Sequence, residues 1–329
     1  LTLAAPFPYF GGKRRAASIV WKALGDPSGY VEPFAGSAAV LLARDLKGRR
    51  VETLNDADGW LVNMWRSIQL DAAKVAEHAF GPVTEIDYHA RLAWLQDRRS
   101  DELVAWLEGD PENHDAKAAG WWLYVLACGI GDPFGGGPWK VVDGMLRDTR
   151  VEGNAGQGVN RELPHLGDAG QGVNRELPHL GDAGREALTV YLLELAERLS
   201  RVRITCGSWE RVVKPSVVRA GAGGDGSRAV FLDPPYATSG DLYASGDTDG
   251  TLSGRVREWC ENAPSGLRIV LCGYDDEHDA LGWLRVDGKA GGGAGYSVNR
   301  GNGRREGLWL SPSCLSSHDQ GSLDLGMAA

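Results

Sequence analysis

The chain has 329 residues, of which 43% are hydrophobic and 24% charged, with a net charge of −9 at pH 7. That length and apolar fraction fit one large or two modest globular domains with a sizeable core, and no stretch approaches the ~20 apolar residues of a membrane span. The acidic balance disfavours a surface that is basic throughout, as phosphate contacts dominate nucleic-acid affinity, but leaves open a local basic groove.

The five cysteines are widely spread with no Cys-x-x-Cys, and the histidines show no metal-ligand spacing. They read as reduced packing thiols of a cytoplasmic protein that holds no metal. The amino end, Leu1 to Pro6, lacks the basic start of a secretory signal. Basic clusters at Lys13-Arg14-Arg15, Lys47 with Arg49-Arg50, Arg98-Arg99 and Arg300 with Arg304-Arg305 each read, singly, as solvated surface.

In chain order, residues 6–15 form an aromatic and glycine-rich opening that contains Tyr9. Gly11-Gly12 permits a tight turn, and Lys13 precedes a predicted helix, Arg15 to Leu24, where a lysine and backbone N–H groups suit a carboxylate. Tyr30 to Val40 reads as a strand, a turn at Gly36 and a helix running to about Leu46. Strand, small-residue turn and helix make the nucleotide-binding half of a Rossmann-like sheet. A lone Gly36 without G-x-G-x-x-G favours a cofactor without phosphates over a dinucleotide. Val51–Leu54 is a second strand ending in Asn55-Asp56, about 20 residues after the glycine turn and placed for ribose hydroxyls. Asp58 is the alternative, or the cap of a helix Gly59–Gln69.

From about residue 71 the pattern turns helical, at Tyr88–Arg98 and Ala116–Ala127, with Trp94, Trp106, Trp121, Trp122 and Trp139. Aromatics at helical spacing read as core. Residues 155–168 recur identically as 169–182, a tandem duplication rich in glycine. It reads as a loop or hairpin pair, tolerant of a change in length. Its Asn160, Arg161, Asn174 and Arg175 are residue types that read bases, although a solvated loop fits them equally. A helix Ala187–Leu199 and a strand Val202–Cys206 follow, the strand ending at Gly207-Ser208.

Val230-Phe231-Leu232 then reads as a buried strand, stopped by Asp233-Pro234-Pro235-Tyr236. Two prolines fix φ and offer no N–H, so the strand ends in a stiff elbow at its carboxyl end, where open α/β sheets bind ligands. An aromatic exocyclic amine is a poor nucleophile because its lone pair is delocalised into the ring. Two acceptors, the Asp233 carboxylate and the Pro234 carbonyl, can each take one N–H and free that lone pair. Tyr236 can stack on the flat ring, as enzymes acting on a flipped-out base do. A turn with two loop prolines is the bland alternative. A helix near Ser253–Asn262, a strand Leu267–Cys272 and a closing antiparallel pair, Trp283–Val286 with Leu308–Leu310, complete the pattern.

The ordered set Phe10-Gly11-Gly12-Lys13, Glu32-Pro33-Phe34-Ala35-Gly36, Asn55-Asp56 and Asp233-Pro234-Pro235-Tyr236 resembles the Dam-like DNA adenine methyltransferases, including phage-borne and orphan members. The resemblance implies a Rossmann-like methyltransferase fold with a mainly parallel twisted sheet and an antiparallel last strand. It implies core segments at 1–70 and 201–314, an inserted, mostly helical target-recognition region at 71–200 and a tail at 315–329. S-adenosylmethionine is the implied cofactor and N6 of a flipped adenine in double-stranded DNA the acceptor, in a monomer or weak dimer away from membranes. Tyr9 and Lys13 would lie at the cofactor's methionine end, Glu32 would pair with its ammonium, Phe34 and Gly36 would shape the pocket, and Asp56 would hold the ribose. Asp233, Pro234 and Tyr236 would take the adenine. Two positions depart from the family: Ala38 replaces a glycine, and Ser208 replaces an acidic residue that meets the cofactor's adenine. Other acceptors on the same fold (cytosine N4, RNA or a protein amide) and a decayed DNA-binding homologue remain as alternatives.

Overall fold

A computed structural model describes residues 3–7, 13–45, 50–98, 101–110, 112–129, 139–142, 145–148, 180–218, 226–235, 251–274, 276–287 and 306–315. In chain order they form α1 (Ala17–Leu24), β1 (Gly29–Glu32), α2 (Ala39–Leu42), β2 (Val51–Asp56), α3 (Gly59–Ala79), α4 (Glu85–Asp97), α5 (Asp101–Gly109), α6 (Ala116–Cys128), β3 (Trp139–Val142), β4 (Met145–Asp148), α7 (Leu180–Leu199), β5 (Val202–Cys206), α8 (Pro215–Val218), β6 (Arg228–Leu232), α9 (Thr251–Glu261), β7 (Arg268–Tyr274), β8 (Leu284–Asp287) and β9 (Glu306–Leu310).

Seven strands make one mixed sheet in the order β5-β2-β1-β6-β7-β9-β8, and β3-β4 is a separate antiparallel hairpin. β5, β2, β1, β6 and β7 are parallel; β9 runs antiparallel to both β7 and β8. The parallel strands, numbered by their order in the chain, thus lie third, second, first, fourth, fifth across the sheet, the doubly wound order. The expected α/β class and the closing antiparallel pair are both present.

The strand sequences explain why helices cover both faces. In β6, Ala229 and Phe231 join one apolar cluster while Val230 and Leu232 join the other. The same alternation splits Val270 and Cys272 from Ile269 and Leu271 in β7, and Leu308 and Leu310 from Trp309 in β9. Successive strand side chains point to opposite faces, so a strand apolar at every position needs cover on both sides. Full burial of each such side chain contributes about 1.5–3 kcal/mol. α1, α3, α6 and α7 supply the first face, and α8, α9 and the 3₁₀ turn Trp209–Arg211 the second.

Several expected boundaries move. The first helix starts at Ala17, after a turn at residues 14–16. α2 stops at Leu42 instead of about Leu46, because the Arg44 guanidinium turns inward to Glu52, Asp26 and the Pro27 carbonyl. α3 runs ten residues past Gln69, to Ala79, with a break at Asp71 (φ −148°, ψ 57°). α7 begins at Leu180, so the last three residues of the second repeat copy are helical instead of loop. A proline at 178 bars a helix that runs through it, not one that starts beyond it. Trp122 is buried and Trp94 packs edge-to-face on Trp121 at 4.9 Å, whereas Trp106 is exposed and is no part of the core.

No helix among the described residues is long and apolar enough to cross a membrane. No group of three or more His, Cys, Asp or Glu among them is placed to hold a metal ion.

Candidate active site

The chain leaves β1 towards β2 on one side and β6 towards β7 on the other. The switch point of the doubly wound sheet, where such sheets bind ligands, therefore lies between the carboxyl ends of β1 and β6. β1 ends in Glu32, and Asp233-Pro234-Pro235 follow β6 directly. Pro234 is buried, while Asp233 and Pro235 are half-buried.

Lys13 lies beneath Asp233. Its ammonium is 2.8 Å from Asp233 Oδ2 and 2.8 Å from Glu306 Oε1, with only 5% of its side chain exposed. The solvated-surface reading of the first basic cluster fails at Lys13, because these two carboxylates stabilise its charge out of water. The Cys272 thiol donates a hydrogen bond to Asp233. Burial, reinforced by the Asp233 charge, pushes that thiol well above its ordinary value, so it stays protonated as a donor.

Glu32 is almost fully buried. Its Oε2 accepts from the Tyr30 hydroxyl and from the Leu41 amide, each at 3.2 Å. Burial raises the Glu32 carboxyl to about 8, the Tyr30 and Leu41 donors oppose the rise, and the nearby Asp233 charge adds to it. The site thus holds an acid poised for a cation. The Leu41 amide belongs to α2, whose amino end would serve a phosphate in a dinucleotide site; here Glu32 occupies it.

Gly36 has φ +46° in the turn after β1, its N–H donates to Asp56 Oδ2 at 2.9 Å, and its carbonyl accepts from the Trp65 indole at 3.1 Å. Asp56 Oδ1 accepts from the Asp58 amide at 3.0 Å. Burial pushes the Asp56 carboxyl to about 6, against the Asp58 and Gly36 amides. Asp56 thus holds the turn, and Asp58 caps α3 through the Trp60 and Leu61 amides. Asn55 ties the strand ends together: its Nδ2 donates to the Pro33 and Gly207 carbonyls at 3.0 and 2.9 Å. Ala38 sits in the left-handed region at φ +51°, alone among the described non-glycine residues. A glycine at that position would be unstrained.

Phe34 is half-buried, with its ring 6.0 Å from that of Trp209. Ser208, at the end of β5, is exposed and donates its hydroxyl to Glu210. An acidic side chain is therefore present at this turn, two residues after Ser208. Tyr9, Tyr236, Asn160, Arg161, Asn174 and Arg175 lie outside the described residues.

The structure brings Lys13 and Asp233 into contact and sets Glu32 close enough to feel the Asp233 charge. Sequence reasoning missed Glu306, Cys272 and Tyr30. Glu306 did carry a signal: it shares the alternation of Leu308 and Leu310, so a charge stands on a core-facing position. No protein-family model matches the chain, and no curated protein matches it.

Proposed function

We propose that the chain is an S-adenosylmethionine-dependent DNA methyltransferase that methylates N6 of a flipped-out adenine in double-stranded DNA. The observation that carries this reading is the position of Asp233, on a proline-stiffened elbow at the switch point, beside Glu32 and Lys13. The donor set fits the cofactor. An amino-acid end needs one anion and one cation: an ammonium beside Glu32 would draw that carboxyl, raised to about 8 by burial, back to its ionised form, and Lys13 is the cation of the site. The glycine turn has no phosphate cradle, since Glu32 takes the α2 amide. When bound, the cofactor supplies an electrophilic methyl on a sulfonium.

The chain's own groups prepare the acceptor. Asp233 and the Pro234 carbonyl each accept an N–H of the amine, which returns lone-pair density to nitrogen. Lys13 and the Cys272 thiol orient Asp233 by holding its carboxylate from below. The amine nitrogen gains the methyl and loses one proton to solvent afterwards. Tyr236 stacks on the extruded base, a contact worth ~1–3 kcal/mol.

The test is methylation-sensitive sequencing of DNA from cells expressing the wild type and Asp233→Ala. N6-methyladenine at one sequence context is expected with the wild type and is lost with Asp233→Ala. Calorimetry should show that the variant still binds S-adenosylmethionine. A product on cytosine, RNA or protein would overturn the acceptor, and full methylation by Asp233→Ala would overturn the mechanism.

A further inference from the structure

β1 turns Tyr30 and Glu32 to the same face of the sheet, because residues two apart on a strand share a side. Val31 between them joins the apolar cluster on the other face. The Tyr30 hydroxyl therefore reaches Glu32 Oε2 at 3.2 Å, and α2, packed on that same face, brings its Leu41 amide to the same oxygen, also at 3.2 Å. Among the described residues no hydrogen bond reaches Oε1. The Tyr30 ring is held independently of its hydroxyl: it is 1% exposed, packs 4.8 Å from the Trp21 ring and lies 6.0 Å from the Arg44 guanidinium carbon. Burial, with the Glu32 charge behind it, pushes the hydroxyl well above its ordinary value, so it remains a donor.

On the methyltransferase reading, we infer that Tyr30 is a positioning residue: its hydroxyl supports the ionised form of Glu32, with one oxygen left open, for the ammonium of the cofactor's amino-acid end. A buried carboxylate is costly to ionise unless it is paired. Glu32 has two neutral donors and, among the described residues, no ion pair. The charged groups that it feels, Asp233 from the elbow and Glu52 from β2, are both anions. α2 carries no titratable residue, and Lys13 is turned to Asp233 and Glu306. An ammonium that docks at Glu32 therefore replaces a proton: the carboxyl O–H breaks, the proton leaves to solvent, and the ammonium donates to the freed carboxylate. Tyr30 eases that exchange, because a hydrogen bond to a charged acceptor is stronger than one to its neutral form.

Calorimetry with three ligands tests this: S-adenosylmethionine, S-adenosylhomocysteine, and methylthioadenosine, which keeps the adenosine and thioether but lacks the amino-acid end. In the wild type the first two should weaken as the pH falls from about 7.5 to about 6, by up to about tenfold per unit. A proton should be released as they bind, read from the dependence of the heat on the buffer. Methylthioadenosine should show neither effect. Tyr30→Phe, which keeps the ring, should weaken the first two ligands about tenfold, ~1.4 kcal/mol, and methylthioadenosine by less than about twofold. Glu32→Gln should flatten the pH profile and make Tyr30→Phe silent in the double variant. Equal losses for all three ligands would make Tyr30 a packing residue and overturn the inference. A wild-type profile without pH dependence would do the same without any variant, as would a Tyr30→Phe loss undiminished in the Glu32→Gln background. A wild-type chain that binds none of the three would instead overturn the methyltransferase reading itself.

Discussion

Two buried charge clusters stand at opposite ends of the same sheet, and they are built differently. At the amino end of β2, Glu52 meets Arg44 at 3.0 Å and Arg198 at 2.7 Å, with all three side chains less than a tenth exposed. Arg44 reaches on to Asp26 at 2.8 Å, and Arg50 meets Asp26 at 2.5 Å. Spare guanidinium donors go to the Pro27 and Leu41 carbonyls, so only the two Nε atoms lack partners. Every carboxylate there has two cations. Burial alone would raise Asp26, but hydrogen bonds from Arg50 and Arg44 hold it below its ordinary value. At the carboxyl end, among the described residues, Asp233 and Glu306 each meet the Lys13 ammonium at 2.8 Å, and a third carboxyl, Glu32, is pushed up to about 8. The first cluster ties each carboxylate to arginines and holds the fold; the second sets a buried carboxyl of raised value near Asp233 at the switch point, the pattern of a site.

The largest effect should come from unbalancing the structural cluster. Glu52→Ala leaves the buried Arg198 guanidinium without its carboxylate and Arg44 with Asp26 alone, and should cost about 3–5 kcal/mol in urea denaturation at constant m-value. Glu306→Gln, which keeps an oxygen acceptor for Lys13, should stay within about 1 kcal/mol of the wild type. Similar losses in both variants would erase the distinction between the clusters.

The pH dependence should carry opposite signs at the two ends. The folded value of Glu32 lies above its unfolded one, so between ~4.3 and about 8 the unfolded chain sheds a proton that the fold keeps. Stability therefore falls as pH rises through that window, by at most ~1.4 kcal/mol per pH unit. Asp56, pushed to about 6, adds to the fall at the lower end. Asp26 is depressed, so its contribution is present above its ordinary value and is lost as the pH falls through its folded value. Denaturation curves at pH 5, 6, 7 and 8 should show a shallower decline for Glu32→Gln than for the wild type. Parallel curves would mean that Glu32 is ionised in the folded chain.

The smallest effect concerns the turn that joins Glu32 to α2. Ala38→Gly removes a left-handed alanine and should raise stability by ~0.5–1 kcal/mol, read as a higher melting temperature. A clear fall would show that the buried Ala38 methyl outweighs the backbone strain.

Much of this molecule was legible in the chain before any coordinates. The strands at Tyr30, Val51, Val202, Val230 and Leu267 announced themselves as short apolar runs ending in turn residues, and Asp58 was placed to cap α3. Sequence pattern misled where a distant partner captured a side chain. Arg44 ends α2 early because Glu52 and Asp26, from other parts of the chain, hold its guanidinium. Lys13 read as a lysine suited to a carboxylate, but its partner Glu306 was hidden because it lies 293 positions away.

By itself the sequence determined the local chemistry: the proline-stiffened elbow at Asp233, the glycine turn at Gly36 and the short apolar strands whose side chains alternate between two faces. Those follow from backbone restriction and side-chain alternation over a few residues. Only the tertiary structure decided how charge is distributed. The order β5-β2-β1-β6-β7-β9-β8 brings the end of β1, the end of β6 and the start of β9 to one end of the sheet, and with them Asp233 and Glu306 onto Lys13 and Glu32 within reach of the Asp233 charge. Electrostatic energy depends on distance and burial, which residue spacing along a chain does not encode.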